Sequence, residues 1–302
     1  MRDGLLVVDK PAAWTSHDVV AKLRGVYGQR RIGHAGTLDP DATGVLLVGL
    51  GRATRLLKYL QEAGKAYRGT IVFGIATSTL DAAGDVLEQQ PMPLERAQVE
   101  EATTKFLGAI EQLPPMVSAV KVGGRRLHEL AREGLEVERA PRPVRVDRFD
   151  VEEFVPGAYP EATVLVECGS GTYIRSLAAD LGVALGGCAH LGSLRRLRVG
   201  SFGLDEARPL DAIVAAPEDA VLPLTAMMRD LARVDIDAEQ VRAVSHGMVF
   251  PAGALGEGAL GEGALGEGAE DRPIAVVDRE SGNLVAVYER RGAACKPAVV
   301  IG

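Results

Sequence analysis

At 302 residues, with 47% hydrophobic and 25% charged side chains, the chain has an ordinary globular balance and room for one large domain or a large and a small one. A formal charge of −7 excludes a uniformly cationic coat, although a local basic face can still engage nucleic acid. Cys168, Cys188 and Cys295 lie far apart with no C-x-x-C pair, so neither a disulfide framework nor a thiolate zinc site is expected.

The opening "MRDGLLVVDKP" has too short an apolar run for a signal peptide, and no uncharged stretch approaches membrane-spanning length. A cytoplasmic protein without a membrane partner is expected. "GLLVVDKP" reads as a buried strand ending at Pro11, and "TSHDVVAKLRGVYG" as a helix capped by Thr15 or Ser16. "RIGHAGTLDPDATG" is a loop rich in turn formers, and "GVLLVGLG" a second buried strand. "ATRLLKYLQEAG" predicts an amphipathic helix, "KAYRGTIVFG" a strand, and "LERAQVEEATTKFLGAI" a helix.

In "ATVLVECGSGTYIRSLAADLGVALG", a strand meets the turn Gly169-Ser170-Gly171, resumes from Thr172 to Ile174 and runs into a helix. Strands and helices mix without regular βαβ alternation, which favours α+β over a doubly wound sheet. The pattern changes near Pro217 to Pro223. Beyond it, "VDIDAEQVRAVSHGMVFPAG" and "RPIAVVDRESGNLVAVYERR" suggest a small β-rich domain with a hairpin turn at Ser281-Gly282-Asn283. The Ala-Leu-Gly-Glu-Gly repeat at 253–269 fits neither helix nor strand and reads as a flexible acidic loop.

No phosphate-binding loop, dinucleotide fingerprint, deaminase signature or G-x-S-x-G elbow is present. What remains is carboxylate chemistry without metal or cofactor. Asp39 precedes Pro40, which biases its backbone to extended geometry, and a carboxylate can act as a nucleophile when a nearby cation keeps it ionised. From Lys121 to Arg148 eight Lys or Arg face five Asp or Glu, a local net of +3 (8 − 5), and "LRRLR" adds more. Such a strip can follow a phosphate backbone.

Six segments, in order, carry a resemblance: "LLVVDKPAAWTSHDVV", "RIGHAGTLDPDATGVLLVGLGRATRL", "KAYRGTIVFG", "PPMVSAVKVGGRRLHELAREGLEVER", "GSGTYIRSLAADLG" and "AHLGSLRRLRVGSF". Over about residues 4 to 225 the chain resembles the bacterial TruB-type tRNA pseudouridine-55 synthases. The resemblance implies a pseudouridine-synthase fold: α+β, a mixed, largely antiparallel sheet flanked by helices, plus a small β-rich PUA-like C-terminal domain. It divides the chain into a catalytic domain at 1–225, with an RNA-binding insertion at about 114–140, and a PUA-like domain at 226–302.

The implied activity moves the glycosidic bond of a T-loop uridine from N1 to C5. Product and substrate share the same atoms, so no cofactor or metal is expected. The resemblance makes Asp39 the nucleophile, towards base or sugar, and pairs it with Arg175, whose guanidinium would lower its pKa. Tyr67 matches the tyrosine that stacks on the base; Tyr173 and Leu194 match other pocket residues. His34 matches a loop histidine expected to hold the flipped conformation, and Lys10 a lysine expected to support the active-site loop or touch substrate. Lys121, Arg125, Arg126 and Arg132 are expected backbone contacts on the insertion, whereas Asp41 is read as a loop residue.

Ala13 stands where the first motif often has Gly, and His128 where Tyr is frequent. The expected partner is the T-stem-loop of tRNA, with no protein partner required and a monomeric state. Two alternatives stand beside this reading. One is a guide-RNA-dependent relative, expected to carry a longer N-terminal extension and a fuller PUA domain. The other is a tRNA chaperone that binds without modifying.

Overall fold

The apolar run at residues 5–8 needs cover on both faces, and it finds it as β1 (Gly4–Lys10), where Leu5, Leu6 and Val8 are fully buried. The computed structural model describes residues 2–118, 121–127, 130, 133–135, 137–251, 272–292 and 294–301. The Lys10 end of β1 leads through a tight turn to α1 (Ser16–Tyr27). Thr15 is the cap, in a reciprocal capping box with Asp18, and Gly28 ends the helix in the left-handed conformation. Ala13 in that turn is also left-handed, at φ 61°, which gives a physical reason for glycine at this position: a Cβ there costs about 1 kcal/mol.

β2 (Ile32–Ala35) and β3 (Thr43–Leu50) pair antiparallel and hold between them the loop that carries Asp39. A 3-10 turn (Gly51–Arg55) precedes α2 (Leu57–Glu62), so the single helix expected from "ATRLLKYLQEAG" is divided. The Thr54 hydroxyl donates back to the Gly51 carbonyl and the Leu56 N–H to Ala53, both tightening the first turn. β4 (Lys65–Phe73) follows, then a small hairpin of β5 (Ile75–Thr77) and β6 (Val86–Gln89).

α3 (Arg96–Thr104) ends earlier than its apolar spacing predicts, because Gly108 turns to φ 86° and opens β7 (Gly108–Gln112), which pairs with β10. Within the insertion, β8 (Lys121–Val122) pairs with β9 (Arg125–Arg126). β10 (Arg142–Val155) and β11 (Glu161–Cys168) form a long antiparallel pair. The strand expected at residues 172–174 is absent: the chain turns at Gly171 and α4 (Ile174–Ala184) starts directly. β12 (Ala189–Val199), β13 (Phe202–Gly203) and β14 (Arg208–Pro209) complete the sheet.

The strand order is β14-β1-β3-β12-β4-β11-β10-β7, with β13 on β12 and β2 on β3. In this sheet, among the described residues, only β1/β14 and β3/β12 run parallel; the architecture is therefore α+β with a mixed, largely antiparallel sheet flanked by helices. At the β3–β12 contact, Gly44 is obligatory: a Cβ there would lie 2.1 Å from the Arg196 carbonyl oxygen.

Helices α5 (Leu210–Ala215) and α6 (Leu224–Met227) lead to a second sheet. It comprises β15 (Ala232–Ile236), β16 (Phe250–Pro251), β17 (Ile274–Asp278), β18 (Leu284–Arg291) and β19 (Ala294–Val300), in the order β15-β17-β18-β19-β16. α7 (Ala238–Ser245) belongs to this domain, and its hairpin turn lies at residues 281–283 as expected. Val277, Val287 and Val299 share one core with Leu5, Val7 and Leu56, and Lys58 and Tyr59 both bond to Glu289. The Ala-Leu-Gly-Glu-Gly repeat falls outside the described residues. Among the described residues no helix is long and apolar enough to cross a membrane.

Candidate active site

The segment between β2 and β3 is fastened from several sides, and none of the ties is local. Ser16, fully buried at the start of α1, exchanges bonds with Leu38: the Leu38 N–H donates to Oγ at 2.9 Å and Oγ donates to the Leu38 carbonyl at 3.2 Å. Arg196 on β12, 1% exposed, donates to the carbonyls of Val45 at 2.7 Å and Gly36 at 3.2 Å. Lys10 reaches the Pro40 carbonyl at 2.8 Å and also donates to Pro11 and Trp14. Asp39 is thereby held on a rigid support, with the Ala42 N–H closing a turn onto its carbonyl.

Arg175, the second residue of α4, meets it. Its Nη2 donates to Asp39 Oδ1 at 3.1 Å and its Nε lies 3.1 Å from Oδ2, a two-point contact that suits an ionised carboxylate. The same guanidinium reaches Asp81 Oδ2 at 3.4 Å and donates to the carbonyls of Thr79 at 3.1 Å and Val117 at 2.9 Å. Arg175 is 5% exposed at its side chain while Asp39 keeps 41%, so the cation is buried and the carboxylate open to a ligand.

Arg175 pulls the Asp39 pKa down, as expected, but it does not decide the balance. Burial is the largest influence and raises it; Lys10 also pulls it down, Asp81 and Asp41 push it up, and the outcome lies above the ordinary carboxylate value of 3.8. The loss of hydration around the carboxyl outweighs the attraction of the guanidinium.

Asp39 and Arg175 border a cavity of about 270 Å³, whose other walls include Tyr67, Tyr173, Ile174 and Leu194. Tyr67 is 7% exposed, and burial raises its phenol pKa against the pull of Arg196. Lys65 lines the same space, donates to the carbonyls of Gln61 and Ala63, and is drawn down to about 8 by burial. On the far side of Asp39 a second cavity, about 170 Å³, runs past Asp81, Gly192 and Leu194. A flat polar ring can enter the larger cavity and meet an aromatic wall and a carboxylate fixed against a permanent cation.

Of the residues singled out in the sequence, Asp39, Tyr67, Tyr173, Arg175 and Leu194 converge on this cavity. His34 does not line it. It sits on β2 in edge-to-face contact with His17 at 5.4 Å, its Nδ1 buried without a described hydrogen-bond partner and its pKa pulled down by burial to about 4. Lys10 lies beneath the loop and is drawn to about 8 by burial. Lys10→Met removes donors from three carbonyls, and we expect a loss of about 2–3 kcal/mol in urea unfolding; a loss below about 0.5 kcal/mol would remove Lys10 from the loop's supports.

In "LRRLR", Arg195 pairs with Asp9 and Arg198 with Glu167, both partly exposed, while Arg196 is buried and serves the Asp39 loop. On the insertion Arg125 pairs with Glu133. The side chains of Lys121 and Arg126, and residues 128 and 132 entirely, lie outside what is described.

Sequence reasoning missed Ser16, Asp81, Gln112 and the structural use of Arg196. Alternation from Leu194 places Arg196 on the cavity side of β12 and could have revealed it. Ser16 is a second hydroxyl beside a cap that needs only one. Asp81 gave no signal beyond a turn.

A model described as TruB family pseudouridylate synthase (N terminal domain) matches residues 24–174, and one for the tRNA pseudouridylate synthase B C-terminal domain matches residues 175–231. A tRNA pseudouridine synthase B from Mycobacterium sp. (strain KMS) is 49% identical over 257 residues, covering 84% of this chain and 86% of the relative. One from Thermobifida fusca is 44% identical over 308 residues, covering 99% of each chain. Among solved structures, a chain of an H/ACA RNP bound to a substrate RNA containing 2'-deoxyuridine superposes with a TM-score of 0.73 at 25% identity, covering 99% of this chain and 85% of that one. A chain of a Cbf5-Nop10-Gar1 complex gives 0.72 at 28% identity, with 98% and 85% covered. Family models that together match residues 24–231 and relatives of 44–49% identity over most of the chain agree: it belongs to the TruB family of pseudouridylate synthases.

Proposed function

We propose that the chain isomerises uridine 55 in the T-loop of tRNA to pseudouridine, with Asp39 as nucleophile and Arg175 as its fixed counter-ion. As an isomerase it breaks the bond from C1' to N1, rotates the base and joins C1' to C5; C5 gives up a proton to solvent, N1 takes one up, and the bond that Asp39 makes to base or sugar is broken again. No atom is gained overall. The observation that carries the reading is the two-point Arg175–Asp39 contact at the mouth of a cavity walled by Tyr67, Tyr173 and Leu194. Tyr67 offers its ring to the base, and turning the nucleotide outward costs a few kcal/mol that stacking and docking offset.

The proposal extends to residues 1–225 as the catalytic unit, with the insertion at about 114–140 receiving the T-loop through Lys121, Arg125, Arg126 and Arg132. His34 then supports the rearranged RNA beside the site, and residues 226–302 form a PUA-like unit. The enzyme acts as a monomer on tRNA in the cytoplasm. A second reading draws on the likeness to a chain from an H/ACA RNP, which would imply dependence on a guide RNA.

One assay decides between them. A T-stem-loop transcript carrying tritium at C5 of its uridines is incubated with purified protein alone. Release approaching one tritium per RNA is expected, since forming the C1'–C5 bond expels the C5 hydrogen. Release only after a guide RNA and partner proteins are added would favour the second reading, and none under any condition would refute both.

A further inference from the structure

Gln112 ends β7 at the root of the insertion, with 2% of its surface exposed. Its amide is used in both directions. The Tyr173 N–H donates to Oε1 at 2.7 Å, and Nε2 donates to the Tyr173 carbonyl at 3.0 Å. Tyr173 is the residue from which α4 starts, and it supplies no side-chain cap. Its carbonyl also accepts the Leu177 N–H at 3.1 Å, so the helix's own first turn and Gln112 converge on one oxygen.

Two further bonds cross the same junction. Ser176 Oγ donates to the Leu113 carbonyl at 3.0 Å, and Arg175 Nη2 donates to Val117 at 2.9 Å. A helix start without a cap of its own is thus oriented from outside, by the strand that leads into the insertion. The buried amide has a reason to be there: an apolar side chain of the same length would pack equally well and bond to nothing.

We infer that Gln112 is a positioning residue, which fixes the first turn of α4, and with it Arg175, against the root of the insertion, so that RNA seated on the insertion and Arg175 presented to Asp39 share one rigid frame. This rests on the proposed roles of Asp39 and Arg175. The groups facing Asp39 are Arg175 from α4, Asp81 from the turn after β5, Lys10 from β1, Asp41 from its own loop and the Tyr67 phenol from β4. Among the described residues Gln112 makes no hydrogen bond to any of these groups; it acts on Arg175 through the Tyr173 backbone at the start of α4.

Gln112→Met keeps length and apolar packing while removing both bonds. We expect kcat to fall about tenfold, the worth of one or two buried hydrogen bonds, with KM unchanged within about twofold. The acid limb of the kcat profile should move to higher pH as Arg175 withdraws from Asp39. Val276→Ala, a fully buried truncation in the second sheet, should lower stability and leave that limb in place. If Gln112→Met does not fold, Ser176→Ala removes the neighbouring tie and should move the limb in the same direction by less. A folded Gln112→Met with wild-type kcat, or one whose kcat falls while the limb stays, overturns the inference. Asp39→Asn in the same assay separates the failures: turnover there would refute the proposed chemistry, whereas an unmoved limb in Gln112→Met refutes only the positioning role.

Discussion

Asp39→Asn is expected to lower turnover by more than about 10⁴-fold, because enzyme accelerations start near 10⁶ and the nucleophile supplies the bond-making step. Binding of the T-stem-loop should stay within about twofold, since the amide nearly reproduces the carboxylate's shape and Arg175 keeps Asp81, Thr79 and Val117 as partners. The variant should also be slightly more stable at neutral pH. Burial holds the Asp39 carboxyl above 3.8 in the folded protein, so ionisation opposes folding: the penalty is absent at low pH, develops as pH rises from 3.8 through the folded value, and is complete at neutrality. Asn removes it. With 41% of the side chain exposed, screening keeps the gain below about 1 kcal/mol, or about 2 °C in Tm. Thermal melts at pH 7 and tritium release on one preparation read both effects. Retained turnover would exclude Asp39 as nucleophile, and a lower Tm would mean that the Arg175 contact outweighs burial.

Arg175→Leu is the second large effect, with a different signature. It leaves Asp39 and Asp81 without their shared cation and two carbonyls without a donor. Turnover should fall about 10²–10³-fold while RNA affinity changes far less. At pH 7 the fold should lose about 1–3 kcal/mol, the cost of leaving two carbonyls and two partly exposed carboxylates without their donor. The pH sign follows from Asp39. Without the guanidinium its folded pKa rises further, so the deficit is complete above that value and shrinks as acidification protonates the carboxyl. Urea midpoints at pH 5 and pH 7 therefore converge towards wild type at the lower value, and the acid limb of residual activity moves up. Equal losses of turnover and of RNA binding would count against the pairing.

Much of the fold was legible because its strands carry period-2 or continuous apolar patterns and its motifs occur in order. The errors lie where a glycine or a hydroxyl overrides periodicity. Gly108 turned the tail of an expected helix into β7, and the Thr54 bond to Gly51 tightened the start of α2. At the site, residues that face the cavity were readable from motif chemistry; those that hold it were not. Ser16, Asp81 and Gln112 act across separations of 22, 94 and 61 residues, and their partners are backbone atoms or another side chain that no local pattern announces. The net effect on Asp39 was not legible for a similar reason: Arg175 and its pull were visible, but the burial that outweighs it depends on packing between distant elements.

The anchors of the Asp39 loop come from β1, α1, α4 and β12, and the contact from Arg196 to Gly36 alone joins residues 160 apart. Long loops must close before such contacts form, so competence belongs to the last stages of folding. A nascent chain that has not yet released β12 lacks the Arg196 ties to Gly36 and Val45 and the strand that pairs with β4 beside Tyr67. Activity is therefore expected to appear only once β12 has joined the sheet.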